Sequence, residues 1–211
     1  MKRVLGWFIV AVVVAVIFWR FPLFRVVSLQ EAAAAKATKT FNATEFAEGF
    51  WNTRLMQSLE RAVSAEKLLT GIRNNPADAK KNFGRTLGVS ESYTFFVAGH
   101  GRVVAANEDE VQLVVSEGAT EAEVSLQVGL LFNSAVRDGT GLLNVSDYPN
   151  SQDFNAISEA LNRIIEERVQ PPLREQAQVG RIVRFVGCAE VNHEETDLKP
   201  LKIVPIQASV E

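Results

Sequence analysis

Three strand-like runs, one helical run and two further strand-like runs follow one another through residues 89–211, an order that predicts an α+β fold. Glycines at 99, 101 and 187 fall inside or between strands, where a small closed sheet must bend. A five-stranded barrel with its helix between the third and fourth strands has the order of the OB-fold. The expected architecture is therefore an OB-fold-like five-stranded barrel, preceded by a helical extension and a membrane-anchor helix.

The anchor is expected over 1–24. Lys2 and Arg3 precede Val4–Trp19, sixteen residues without a charge. As a helix these would span roughly 24 Å, a little short of a ~30 Å hydrocarbon core. Arg20 can snorkel, so Phe21, Leu23 and Phe24 lie at the interface with Trp19. The basic N-terminus favours a cytoplasmic start, which predicts a single-pass, uncleaved signal anchor in the inner membrane and a periplasmic domain. Residues 25–43 read as a tether, opening on a short extended segment at Arg25–Leu29 and becoming alanine-rich.

The helical extension covers 44–88. Thr44 suits an N-cap, with Glu45 and Glu48 in the first turn. Phe46, Phe50, Leu55, Leu59, Ala62 and Leu69 recur at helical intervals, predicting one helix that ends near Gly71–Asn75, before Pro76. Phe50 and Trp51 read as core covering one end of the barrel. Ala77–Phe83 reads as one more short helix, broken by Gly84.

From Tyr93 the period becomes two. Tyr93–Ala98 and Arg102–Ala106 are separated by Gly99-His100-Gly101, short enough for a glycine bulge within one long bent strand. Val111–Val115 and Val124–Gly129 follow. A helix is expected at 153–169, then a strand at Gly180–Val191, a charged loop at Asn192–Lys199 and a last strand at Leu201–Val210. Pro205 marks an edge or a bulge in that strand.

Charge and cysteine usage narrow the function. Four of the 22 basic residues lie in the first 29, where there is no acid, so the rest carries 18 basic against 25 acidic side chains, a balance of −7. Nucleic-acid binding needs the opposite balance and a basic groove with stacking aromatics. Cys188 is the single cysteine, so neither an internal disulfide nor a cysteine metal cluster can form. His100 and His193 have no partners at metal-ligand spacing, and no cofactor fingerprint is present, so no metal or cofactor is expected.

Chemistry concentrates between Gly129 and Asn162, where Asn133, Arg137, Asp138, Asp147, Asp153 and Asn155 surround a polar loop. Arg137 carries the planar fork that pairs with a carboxylate. Three roles are open to it: an internal ion pair that pins the loop, contact with a ligand or partner, and a part in acid/base catalysis. Asp153 is equally placed to cap the helix that follows.

FAEGFWNTRLMQSL at 46–59, the GHGRV segment, AVRDG at 135–139, DFNAISEALN at 153–162, GRIVRFVGC at 180–188 and KIVPIQASV at 202–210 together resemble a bacterial family of predicted periplasmic lipoproteins of unknown function, often encoded beside sugar ABC transporters. The resemblance covers about residues 25–211. Arg137, Asp138, Asp153, Phe154, Asn155 and Asn162, with Phe50 and Trp51, match its recurrent positions and are the candidate ligand or partner contacts. It implies a periplasmic location and an accessory role in solute uptake, with a solute or a component of a sugar ABC transporter as partner, and supplies no catalytic residues. Members typically carry a lipid-modified cysteine just after the signal, whereas here that region reads FPLFRVVSL, with no cysteine. The expected function is a membrane-anchored, non-catalytic, extracytoplasmic module. The alternatives are a hydrolase or lyase using Asp138, Asp147 or Asp153 with Arg137, and, last, nucleic-acid binding.

Overall fold

A computed structural model describes residues 41–86 and 91–211. The anchor expected over 1–24, and the tether as far as residue 40, lie outside these residues. No helix among the described residues is long and apolar enough to cross a membrane. Asn42–Glu211 forms one compact unit that holds the helical segment and the sheet together.

Helix α1 (Ala43–Phe50) is capped by Asn42, whose side chain accepts the Glu45 N–H at 3.2 Å. Thr44, the expected cap, lies inside the first turn. The single long helix expected beyond it is broken. The chain widens into a π-type turn at Trp51–Leu55, tightens to a 3-10 turn at Met56–Arg61, and then extends. The reason is tertiary: Val63–Ser64 forms β1, which pairs in parallel with Val97 and Ala98. Helix resumes as α2 (Ala65–Asn74). Asn75 then caps α3 (Pro76–Phe83), where proline at the first position needs no N–H partner.

Arg85–Thr86 is β2, and Tyr93–Ala106 is β3, one continuous strand through both glycines. Then come β4 (Glu110–Val114), β5 (Val124–Gln127), helix α4 (Ala135–Gly139), a 3-10 turn at Val145–Asp147, α5 (Ser151–Arg168) and α6 (Gln170–Gln176). The chain finishes with β6 (Ile182–Val191), the one-turn helix α7 (Glu194–Asp197) and β7 (Leu201–Val210).

The long strands form a ring: β3–β4–β5–β7–β6 and back to β3, with β5 and β7 parallel and the other pairs antiparallel. The length of β3 makes closure possible, since Arg102 still pairs with Ile182 of β6 where β4 has already begun to pair. Gly187 permits a tight crossing with β7: a Cβ there would stand 2.3 Å from the Val204 carbonyl oxygen. The β6–β7 register shifts at this point, opposite Pro205, which confirms the bulge reading.

Alternation fills the ring with Phe95, Val97, Val103, Leu113, Leu126, Phe185 and Ile203, and α2 and α6 add Leu68, Leu69, Ile72 and Leu173. A second apolar layer lies outside. Helix α4 packs on β6 and β3, α5 on α4, and α1 on α5. Phe50 and Trp51 are buried with this layer and stand apart from the cluster that fills the ring, so they do not plug its end.

Two half-buried carboxylates make the fold acid-sensitive. Burial pushes Glu123 up, but hydrogen bonds from Ser116 and the Val115 N–H, with Arg73 alongside, outweigh it and hold the carboxyl below its usual range. Burial also pushes Asp197 up, and the N–H groups of His193 and Asn192 with Lys202 again outweigh it. A depressed folded-state pKa adds stability above the ordinary carboxylate range, and that stability is lost as pH falls through the depressed value. Tm is therefore expected to be flat down to about pH 5 and to decline below it. In Glu123→Gln, Tm is lower at neutral pH and its decline in acid shallower. An equal decline in variant and wild type would contradict this assignment.

Candidate functional site

The chain leaves β5 and is caught at once by a ladder of polar side chains. Asn162, Glu166, Gln170 and Arg174 recur every four residues along α5 and α6 and so share one helical face. Gln170 Nε2 donates to the Gly129 carbonyl at 2.9 Å, and Arg174 reaches the Val128 carbonyl at 3.3 Å. Glu166 accepts the Leu131 N–H at 2.8 Å. Asn162 Nδ2 donates to the carbonyls of Asn133 and Leu131, at 2.9 and 3.3 Å. From β6, Glu190 accepts the Ser134 N–H at 3.0 Å. Of these residues the sequence reading singled out only Asn162. The period-four polar series was the signal for the other helical members.

The clamped loop delivers Arg137 on α4. Its side chain is 6% exposed, and all three guanidinium nitrogens donate hydrogen bonds. Nε and one terminal nitrogen donate to the two oxygens of Asp138 at 2.6 and 2.8 Å, and the other donates to Asn155 Oδ1 at 2.9 Å and to the Phe154 carbonyl at 3.3 Å. The ring of Phe154 lies 4.0 Å from the guanidinium carbon. Four of the expected residues thus form one cluster around a cation.

The remaining candidates have other partners. Asp153 does not cap α5. The helix starts two residues earlier than expected, capped by Asn150, and Asp153 closes a reciprocal box with it: its N–H donates to Asn150 Oδ1 at 2.8 Å and its carboxylate accepts from Asn150 Nδ2 at 2.9 Å. Asp147 is exposed on the 3-10 turn. Phe50 stacks on Phe46, which meets Tyr148 edge-on at 5.9 Å, and Tyr148 packs on Phe154 at 5.2 Å. An aromatic row therefore connects α1 to the Arg137 cluster.

Beside the cluster lies a cleft of about 220 Å³. Its wall includes a row set by strand register: Arg85 of β2 pairs with Thr94 of β3, which pairs with Glu190 of β6, so the three lie side by side across the sheet. Asp138, Ser134 and Leu143 close the other side. Gly141, at φ +65°, brings its backbone against the Arg85 guanidinium, and a Cβ there would lie 2.1 Å from Cζ. Arg85 has no ion-pair partner among the described residues. One oxygen of Glu190 takes the Ser134 N–H and the other has no partner among the described residues. Asp138 retains lone pairs beyond the two that Arg137 uses. The sequence reading missed Arg85, Thr94 and Glu190. For Glu190 the signal was a carboxylate within the apolar run 185–191.

Among the described residues, no group of three or more His, Cys, Asp or Glu side chains could hold a metal ion. A larger hollow of about 540 Å³ lies over β3, β6 and β7, lined by none of the candidate residues, and its Arg184 is tied to Glu211. Cys188 is wholly buried in β6, and burial, then the Asp138 carboxylate, push its thiol well above the usual range. The thiol is thus protonated and shielded from solvent.

The fold has a known counterpart. An OB-fold protein from Thermotoga maritima, known from its crystal structure, is 22% identical, with a TM-score of 0.73 over 82% of this chain and 100% of that one. No curated protein matches the chain. A family model matches residues 11–209, and its members are predicted periplasmic lipoproteins, extracytoplasmic and membrane-associated, with no function assigned. With the ring, its clamped loop and this match over most of the length, the chain belongs to the predicted periplasmic lipoprotein family DUF2291.

Proposed function

We propose that the protein is a non-catalytic binding module, held at the outer face of the cytoplasmic membrane, that takes a small polyhydroxylated solute in the cleft between Arg85, Asp138 and Glu190. In this reading it serves a sugar ABC transporter as an accessory. The observation that supports it is the juxtaposition of acceptor-only carboxylates, a guanidinium fork with no ion-pair partner among the described residues, and hydroxyls around about 220 Å³. Vicinal hydroxyls of a sugar donate to carboxylates and accept from a guanidinium, so one ring can satisfy both kinds of group. The volume lies below the ~300–1,000 Å³ of clefts that hold drug-sized ligands, which fits a single sugar ring.

The Arg137 cluster then has a supporting role. It fixes the Asp138 carboxylate at the cleft wall, while Phe50, Phe154, Asn155 and Asn162 hold the loop behind it. A thermal-shift panel of monosaccharides and other polyols against the full chain tests the reading. A ligand present at about a hundred times its Kd should stabilise the fold by about 2.7 kcal/mol. A panel without any shift would leave the reading without support, and transporter components would become the partners to examine.

A further inference from the structure

The loop from Gly129 to Ser134 is anchored from behind, yet two of its large apolar side chains face water. Leu130 is 75% exposed and Phe132 is 90% exposed, while Leu131 between them is 6% exposed. This out–in–out pattern is built in. The amide of Leu131 and the carbonyls of Gly129, Leu131 and Asn133 are held by Glu166, Gln170 and Asn162, and the amide of Ser134 by Glu190. The amides of Val128 and Gly129 donate to the Asp109 carbonyl. Two apolar side chains are thus presented on a fixed backbone, where a loose loop could fold them inward.

We propose that Leu130 and Phe132 form a wedge that enters the headgroup–acyl boundary of a phospholipid bilayer. Three arguments choose this occupant. The family is membrane-associated, so the domain is held near a bilayer surface. Two side chains offer far less than the ~800 Å² per partner of a stable protein interface, which argues against a second copy or a protein as the cover. A domain already confined at a surface needs no such area, because its insertion is intramolecular and governed by effective concentration. The charged residues nearby are mixed in sign, with Asp109 against Gly129 and Arg163 and Glu167 exposed beside the ladder, so no preference for anionic lipid follows. The proposal rests on family membership and on the loop, independently of the solute reading. It also gives the cleft a fixed aspect to the membrane, since Ser134 ends the loop and lines the cleft.

The test uses the full chain reconstituted in phosphatidylcholine vesicles, with a polarity-sensitive fluorophore attached at Phe132→Cys. Cys188 is buried and will not compete for the label. Val179→Cys, at a position 69% exposed, is the control. The probe at 132 should shift to the blue and be quenched by shallow nitroxide-labelled lipid, independently of salt, and the control should show neither. Adding Leu130→Ser should lower the ratio of inserted to water-exposed probe about tenfold. Equal quenching of the 132 probe by aqueous iodide with and without vesicles would overturn the proposal. A shift that rises with protein concentration without lipid quenching would also overturn it, and would assign the loop to a second copy.

Discussion

Arg137→Met is expected to lower the stability of the folded domain by about 3–5 kcal/mol, the range for removing one partner of a buried ion pair. The variant leaves the Asp138 carboxylate, only 13% exposed, without the two hydrogen bonds that compensate its desolvation, and frees the Asn155 side chain and the Phe154 carbonyl. Arg137→Lys should recover only part of the loss, because a single ammonium cannot bridge both Asp138 oxygens while also reaching Asn155. Urea denaturation of the three proteins reads this directly. A loss below about 1 kcal/mol would mean that the pair behaves as an exposed one.

Phe154→Ala should cost a comparable amount, about 3–5 kcal/mol for deleting a buried aromatic ring. Phe154 is 2% exposed and packs on both Tyr148 and the Arg137 guanidinium. Its effect should therefore not add to that of Arg137→Met. The ring screens the cation, so once either is gone the other has less to lose. A double-mutant cycle is expected to show coupling of about 0.5–3 kcal/mol. Simple additivity would place the two side chains in separate environments and contradict the geometry.

Local information in the sequence carried much of the fold. The strands announce themselves by β-branched alternation, and the order of three strands, helix and two strands already implies the ring. The helical extension misled because Phe46, Phe50, Leu55, Leu59 and Ala62 keep a helical period through a segment that leaves the α-helix after Phe50 and is extended by Ala62. The pairing of Val63–Ser64 with Val97–Ala98 is non-local, and no spacing within the segment signals it. Caps failed for a different reason. Asn42 and Thr44, or Asn150 and Asp153, are rival caps within a few residues, and small differences in approach geometry select between them.

The site divides in the same way. Arg137 and Asp138 are adjacent in sequence, so their ion pair could be weighed in advance, and Phe154 and Asn155 lie one helix turn beyond the cap that aims them. Arg85, Thr94 and Glu190 come from three separate strands and meet only through the register of β2 on β3 and of β3 on β6. That register is a property of the closed ring, so the cleft was invisible until the ring was built.

The solute-binding reading turns on Glu190, which offers a carboxylate to the cleft and whose replacement by glutamine keeps an oxygen for the Ser134 N–H. Calorimetric titration of a stabilising monosaccharide into wild type and Glu190→Gln is the most direct measurement. The cleft account predicts saturable binding to wild type, with affinity at least about tenfold weaker in a variant of unchanged Tm, the loss of one charge-assisted hydrogen bond. Equal affinities would place the solute elsewhere and contradict it.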